Sequence, residues 1–145
     1  MIQRSLLDLN VLIAMTDPEH EHHRIARKWF LSSGKEDWAI CPLTELGFLR
    51  ITTSPAYSPS PHKLEQAIAI LQSLKGYRGY WYCPIDESWV TLTARFVARV
   101  RGHQQMTDAC LLGLAIKENR KLVTFDKGFI YLAGAEFSQN LLVLQ

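Results

Sequence analysis

Four acidic residues, Asp8, Glu45, Asp108 and Asp126, stand beside apolar stretches of a 145-residue chain. A carboxylate is an acceptor, an oxygen ligand and a general base. Taken singly, each has a plain structural reading. An acid in the first turn of a helix complements its dipole, and Asp126-Lys127-Gly128 is good turn chemistry. Several carboxylates in one crevice are different, because they repel one another and their pKa values rise. A divalent cation is the usual relief, and an oxygen-only set suits Mg²⁺ or Mn²⁺ with waters retained. Such a water, once ionised, attacks a phosphodiester. Whether the fold gathers the four acids therefore decides their chemistry.

The elements that would position them follow from pattern. Ser5-Leu6-Leu7 opens an apolar strand running to about Asp8. A helix is expected after it, with Asp17 as cap, Pro18 in the first turn and Ser33-Gly34 at the exit. Ile25, Ala26, Trp29 and Phe30 share one face of that helix. "DWAIC" is a second strand, and a helix starting near Thr44 follows. The Pro/Ser-rich run Ser54 to Pro61 is a loop, after which Ser60 and Pro61 open another helix. Leu64, Ala67, Ile68 and Leu71 give it helical spacing, and Gly76 ends it. "YWYC" is a third strand. Asp86 begins an amphipathic helix through Trp89, Val90, Ala94 and Val97. Thr107 or a neighbour caps the next helix, which is apolar on most sides and so belongs between layers. "KLVTF" and "NLLVLQ" supply a fourth and a fifth strand.

Strands alternating with helices predict an α/β domain with a parallel sheet covered on both faces. No linker or repeat divides residues 1–145, so one domain is expected. In such sheets ligands bind beyond the carboxyl ends of the strands, where strand order switches. Asp8 and Asp126 follow strands, while Glu45 and Asp108 open helices that start on the same edge. All four are expected in one crevice.

The blocks "LLDLNVLIA", "CPLTELGFLR", "GHQQMTDACLLGLA" and "LVTFDKGF" resemble, in order and spacing, the PIN-domain ribonuclease toxins of VapBC toxin–antitoxin systems. The resemblance runs from about residue 5 to 130. It implies a PIN-like three-layer fold with a five-stranded parallel sheet, usually dimeric. It implies Mg²⁺-dependent endonucleolytic cleavage of RNA to a 5′-phosphate and a 3′-hydroxyl. Asp8, Glu45, Asp108 and Asp126 match the family's catalytic and metal-binding acids. Asn10, Thr44 and Thr107 stand where the family carries small polar residues, expected to support the acids rather than ligate. A small VapB-like antitoxin is the implied partner. The segment from Pro55 to Tyr82 is the least diagnostic.

The remaining signals are weaker. A net charge of +2 is too mild to announce a nucleic-acid binder, so local charge must serve. Arg95 and Arg99 share a helical face, and with Arg101 they are candidates to hold RNA phosphates; a solvated face is the plain alternative. His20, His22 and His23 sit in "EHEHH", with His20 and His23 three apart on the expected helix. No third ligand is near, so they read as surface histidines. His103 reads as a loop-packing residue. Trp29, Trp38, Trp81 and Trp89 occupy core-like positions and read as packing or a dimer interface. Cys41, Cys83 and Cys110 form no C-x-x-C and read as reduced thiols. Asp8 comes too early for a signal peptide, and no apolar run approaches the roughly 18–20 residues of a membrane span. A cytoplasmic protein is expected. Three rivals share parts of the pattern: a PIN-like RNA-processing nuclease free of antitoxin control, a phosphatase with an aspartyl nucleophile, and a non-catalytic RNA- or protein-binding module.

Overall fold

A computed structural model describes residues 2–145. Five strands, β1 (Ser5–Leu7), β2 (Trp38–Ile40), β3 (Tyr80–Tyr82), β4 (Lys121–Thr124) and β5 (Leu141–Val143), form one sheet in the order β3-β2-β1-β4-β5. Every neighbouring pair is parallel. The helices are α1 (Leu9–Thr16), α2 (His23–Ser32), α3 (Pro42–Thr52), α4 (Leu64–Lys75), α5 (Trp89–Thr93), α6 (Met106–Lys117) and α7 (Gly128–Ala133).

Strand alternation builds two cores. Leu6, Ala39 and Leu122 face one layer, where they meet Phe96, Leu112 and Phe129. Their neighbours Leu7, Trp38, Ile40 and Val123 face the other, with Leu12, Phe30 and Phe48. Burial on both faces is why the strands read as short apolar runs rather than as alternating ones. Phe30 meets Trp38 edge-on at 5.3 Å and Tyr77 edge-on at 5.2 Å, the favoured arrangement for aromatic pairs.

Helix α6 is the buried helix that its composition predicts, with Ala109 through Ala115 all inside. Gly113 lets α5 lie directly on it. A Cβ there would sit 2.4 Å from the Leu92 carbonyl oxygen, so any side chain must push the helices apart. Trp89 Nε1 donates to the Met106 carbonyl at 2.8 Å and ties α5 to the start of α6. These contacts fix the first turn of α6, which carries Asp108.

Several expected boundaries move. The helix expected from Asp17 begins only at His23, because Asp17 closes α1 instead: its N–H donates to the Ile13 carbonyl at 3.0 Å. His20 therefore lies in the turn between α1 and α2, not on a helix with His23. Helix α3 starts at Pro42, ahead of Thr44, with the proline in the first turn where its missing N–H costs nothing. Helix α4 starts at Leu64, and Ser60-Pro61 stays in the loop. There the Gln66 side chain accepts from the Lys63 N–H at 2.8 Å. Helix α5 ends at Thr93, and Phe96 turns into the core before a 3₁₀ turn at Val97–Arg99. Arg95 and Arg99 consequently share no helical face. Of the tryptophans, Trp38 is fully buried, but Trp81 is 59% exposed on the edge strand β3, contrary to its core-like reading. The three cysteines are buried and free.

The topology places a switch point. From β1 the sheet grows one way through β2 and β3, and the other way through β4 and β5. The crevice of such a sheet opens between β1 and β4, beyond their carboxyl ends.

Candidate active site

Strands β1 and β4 run in register, with Leu7 opposite Val123. The next residues along the two chains are Asp8 and Thr124. The Asp8 N–H donates to the Val123 carbonyl at 3.0 Å, the last ladder bond before the chain turns into α1. Asp8 is the cap of that helix. Its extended backbone (φ −72°, ψ 156°) lets one carboxylate oxygen, Oδ1, accept from the Leu9 N–H at 2.7 Å. The other, Oδ2, accepts from the Thr124 hydroxyl at 2.7 Å.

Thr124 is the hub. Its Oγ1 also accepts from Asn10 Nδ2 at 3.3 Å and from the Asp126 N–H at 3.0 Å. Asn10 closes the circuit, because its Oδ1 accepts from the Phe125 N–H at 3.3 Å. One network thus joins the ends of β1 and β4 and sets Asp8 and Asp126 side by side. Asp126 is exposed, and its Oδ1 accepts from the Gly128 N–H at 2.7 Å, the turn chemistry of "DKG". Asp108 stands half-buried in the first turn of α6.

The three aspartates feel one another. Burial pushes the Asp8 carboxyl above its ordinary value and the Asp126 charge adds to this, while Thr124 and the Leu9 N–H pull it back. Asp108 is pushed up to about 6, first by burial and then by the charges of Asp8 and Asp126. Among the described residues, no basic side chain forms a salt bridge with any of the three. The result is an all-oxygen cluster with uncompensated negative charge, which fits a hard divalent cation.

Glu45 stands apart from that cluster. It occupies the first turn of α3 as expected, but its carboxylate is ion-paired with Lys75 of α4. The Lys75 ammonium also lies 5.5 Å from the centre of the Tyr80 ring. Glu45 contributes no charge to the shifts of Asp8 or Asp108. Among the described residues, no group of three or more His, Cys, Asp or Glu is drawn close enough to hold a metal ion. Asp8, Asp108 and Asp126 lie near enough to perturb one another, while Glu45 is held by Lys75.

The supporting residues divide in the same way. Asn10 bonds Thr124 and the Phe125 N–H rather than an acid directly. Thr44 is buried and donates to the Leu7 carbonyl at 3.3 Å, which locks the start of α3 to the end of β1. Thr107 is exposed, inside α6 rather than at its cap. Arg95 pairs with Glu136 at 3.1 Å and lies over the Phe137 ring. Arg99 donates to the Leu132 and Ala133 carbonyls at 2.8 and 3.1 Å, closing the end of α7. Arg99 thus holds the end of α7, and Arg95 the segment that follows it. Arg101 lies over the Tyr131 ring at 4.2 Å.

A pH dependence follows. The Asp108 carboxyl titrates near 6 when folded and near 3.8 when unfolded, so between those values the folded chain holds the extra proton. Its contribution to stability therefore rises as pH falls from 7 towards 5. The gain is on the order of 1 kcal/mol after allowance for solvent screening at a half-buried group. Urea midpoints measured in chelator at pH 7 and 5 check this, and Asp108→Asn should flatten the difference. An unchanged slope in that variant places the titration elsewhere.

The match to known proteins is broad. The PIN domain family model covers residues 5–135. Ribonuclease VapC38 of Mycobacterium tuberculosis (strain ATCC 25618 / H37Rv) is 40% identical over 129 residues, 89% of each chain. Ribonuclease VapC44 of the same species (strain CDC 1551 / Oshkosh) is 37% identical over 134 residues, 90% of this chain and 91% of the relative. Among solved structures, VapBC2 from Rickettsia felis bound to a promoter DNA fragment superposes with a TM-score of 0.66 at 16% identity, across 100% of both chains. FitAcB from Neisseria gonorrhoeae gives 0.63 at 17% identity, over 97% of this chain and 96% of that one. At such identities the structures speak for the fold alone, which they share with this chain from end to end. With the domain matched almost end to end and relatives above 30% identity over nine-tenths of its length, the chain belongs to the PIN-domain family, among the VapC ribonucleases.

Proposed function

We propose that the chain is the toxin of a type II toxin–antitoxin pair, an Mg²⁺-dependent endoribonuclease whose metal is held by Asp8, Asp108 and Asp126. The observation that carries this reading is the set of unpaired carboxylates at the switch point, where burial first, and then the charges of Asp8 and Asp126, push Asp108 up to about 6. Glu45 is the fourth ligand of the proposed site, and Lys75 engages only its Oε1. Mn²⁺ is the expected substitute ion.

When bound, the ion supplies Lewis acidity, which lowers the pKa of a ligated water and offsets charge on the phosphate. The chain supplies the geometry. Asp8 is a fixed ligand, because Leu9 and Thr124 each hold one oxygen and each oxygen keeps a second lone pair. Asp108, pushed up by burial and its acidic neighbours in the metal-free chain, is the carboxylate whose charge a bound cation would relieve most. Asn10 and Thr124 keep Asp8 and Asp126 at the same edge.

An RNA substrate is supported by the relatives named as ribonucleases. An acidic crevice invites an Arg or Lys from a VapB-like antitoxin, which would occupy the cation's place. A homodimer accounts for Trp81 and Tyr82, both exposed on the edge strand β3. Among the described residues no helix is long and apolar enough to cross a membrane, in keeping with a cytoplasmic enzyme.

The test is cleavage of end-labelled RNA by the purified chain. Cleavage is expected with Mg²⁺, to be lost in chelator and to return with Mg²⁺ or Mn²⁺. Addition of the product of a neighbouring small gene should suppress it. Activity that persists in chelator, or no cleavage with either metal, rejects the reading. Mapping the 5′ ends left in cells after brief induction identifies the RNA.

A further inference from the structure

His20, His22 and Phe125 build an aromatic ladder beside the aspartates. Phe125 sits between Thr124, which holds Asp8, and Asp126, and its N–H is held by Asn10. Its ring stacks on that of His22, with centroids 4.6 Å apart and planes 19° from parallel. His20 comes next, 5.7 Å from His22 and tilted by 46°. The backbone fixes this presentation. The His22 N–H donates to His20 Nδ1 at 3.0 Å, and His23 Nδ1 lies 2.7 Å from the Ala14 carbonyl of α1.

Phe125 packs in part against the core of Leu7, Leu12 and Val123, and the ladder runs outward from it. The His22 side chain is 39% exposed, and His20 and Phe125 are also part-exposed. The Glu21 carboxylate lies 3.5 Å from His22 Nε2 but is itself 81% exposed and free to turn away. Immediately beyond, α2 carries Arg24, Arg27 and Lys28. Among the described residues none of these three pairs with an acid, whereas Arg95 and Arg99 are bound to Glu136. Stacked, half-exposed rings followed by unpaired cations match the two halves of a single-stranded nucleic acid. Unpaired bases stack on aromatic faces, histidine included, and phosphates meet Lys and Arg.

We infer that His22 and Phe125 form a stacking platform for an unpaired RNA base next to the scissile phosphate. His20 is the outer ring, and Arg24, Arg27 and Lys28 hold the adjoining phosphates. The inference rests on the ribonuclease reading and adds to it the place where a base is received. His22 is a binding residue here, not a metal ligand.

The experiment uses the full-length Asp108→Asn chain in chelator, so that binding is read without cleavage. The probe is a short, unstructured, fluorescein-labelled oligoribonucleotide followed by anisotropy, with inorganic polyphosphate as the ligand that has charge but no bases. His22→Ala should weaken RNA binding roughly 5- to 10-fold, and His22→Phe should restore it. Polyphosphate binding and the thermal midpoint should be the same in all three proteins. RNA binding unchanged in His22→Ala overturns the platform. So does a His22→Phe protein as weak as His22→Ala, or an equal loss for RNA and polyphosphate. If the unsubstituted chain neither binds nor cleaves RNA, the ribonuclease reading falls and the platform with it. If that chain cleaves RNA with Mg²⁺ and the His22 variants behave otherwise than stated, the platform alone falls.

Discussion

Asp108→Asn should abolish RNA cleavage, by at least about 100-fold, while making the metal-free protein more stable. The two effects have one cause. Asp108 is pushed up to about 6 by its burial and by the charges of Asp8 and Asp126, so at neutral pH its ionised form strains the fold. Asparagine keeps the size and removes the charge. The folded chain is relieved by on the order of 1 kcal/mol, a rise of a few degrees in the melting midpoint. The same change takes one of four negative charges from the proposed cation site. Metal contributes several kcal/mol of transition-state stabilisation, and each 1.36 kcal/mol lost is tenfold in rate. Mn²⁺ titration by calorimetry should show weaker binding in parallel. A stabilised, inactive variant is the signature of a functional carboxylate. An unstable, inactive one marks Asp108 as a structural residue, and a folded variant with full activity removes it from the site.

The sequence carried the site only as far as local pattern reaches. β1 and β4 were legible because burial on both faces leaves uninterrupted apolar runs, and an acid directly after such a run falls on the carboxyl edge. Helix α6 was legible for the same reason, since no polar face interrupts Ala109 to Ala115. Helix α1 was not. Its apolar run Leu9 to Met15 follows the strand without a turn residue, and periodicity does not separate strand from helix there. The signal was Asp8 itself, an N-cap residue standing before an apolar run. Helix α7 is only six residues long, too short to show a period. The Lys75 partner of Glu45 lies 30 residues away on another helix, and nothing local announces it. Arg95 and Arg99 fit one helical face on paper, but Phe96 turns into the core between them. Thr124 carries no signal of its own inside the expected strand "KLVTF". Its partnership with Asp8 depends on the register of β1 against β4, which spans 116 residues of sequence.

That partnership gives the second large effect. Thr124→Val keeps the shape of a fully buried side chain and deletes its hydroxyl. Asp8 Oδ2 then loses its donor, and Asn10 Nδ2 and the Asp126 N–H lose their acceptor. Leaving such groups unpaired costs about 1–3 kcal/mol of stability. Cleavage should fall roughly 10- to 100-fold, the usual cost of losing a hydrogen-bond partner of a metal ligand. Thr124→Ser, which keeps the hydroxyl, should recover most of both losses. The pH–rate profile separates positioning from packing. Burial already raises the Asp8 carboxyl, and the Thr124 hydrogen bond is the main force opposing it. Without that bond Asp8 ionises at a higher pH, so the rising limb of the profile should move upwards and the deficit should shrink in alkaline buffer. A deficit that stays constant across pH means that the hydroxyl only packs the ends of β1 and β4. A shifted limb means that Thr124 sets the charge of Asp8, and with it the readiness of the crevice to take a cation.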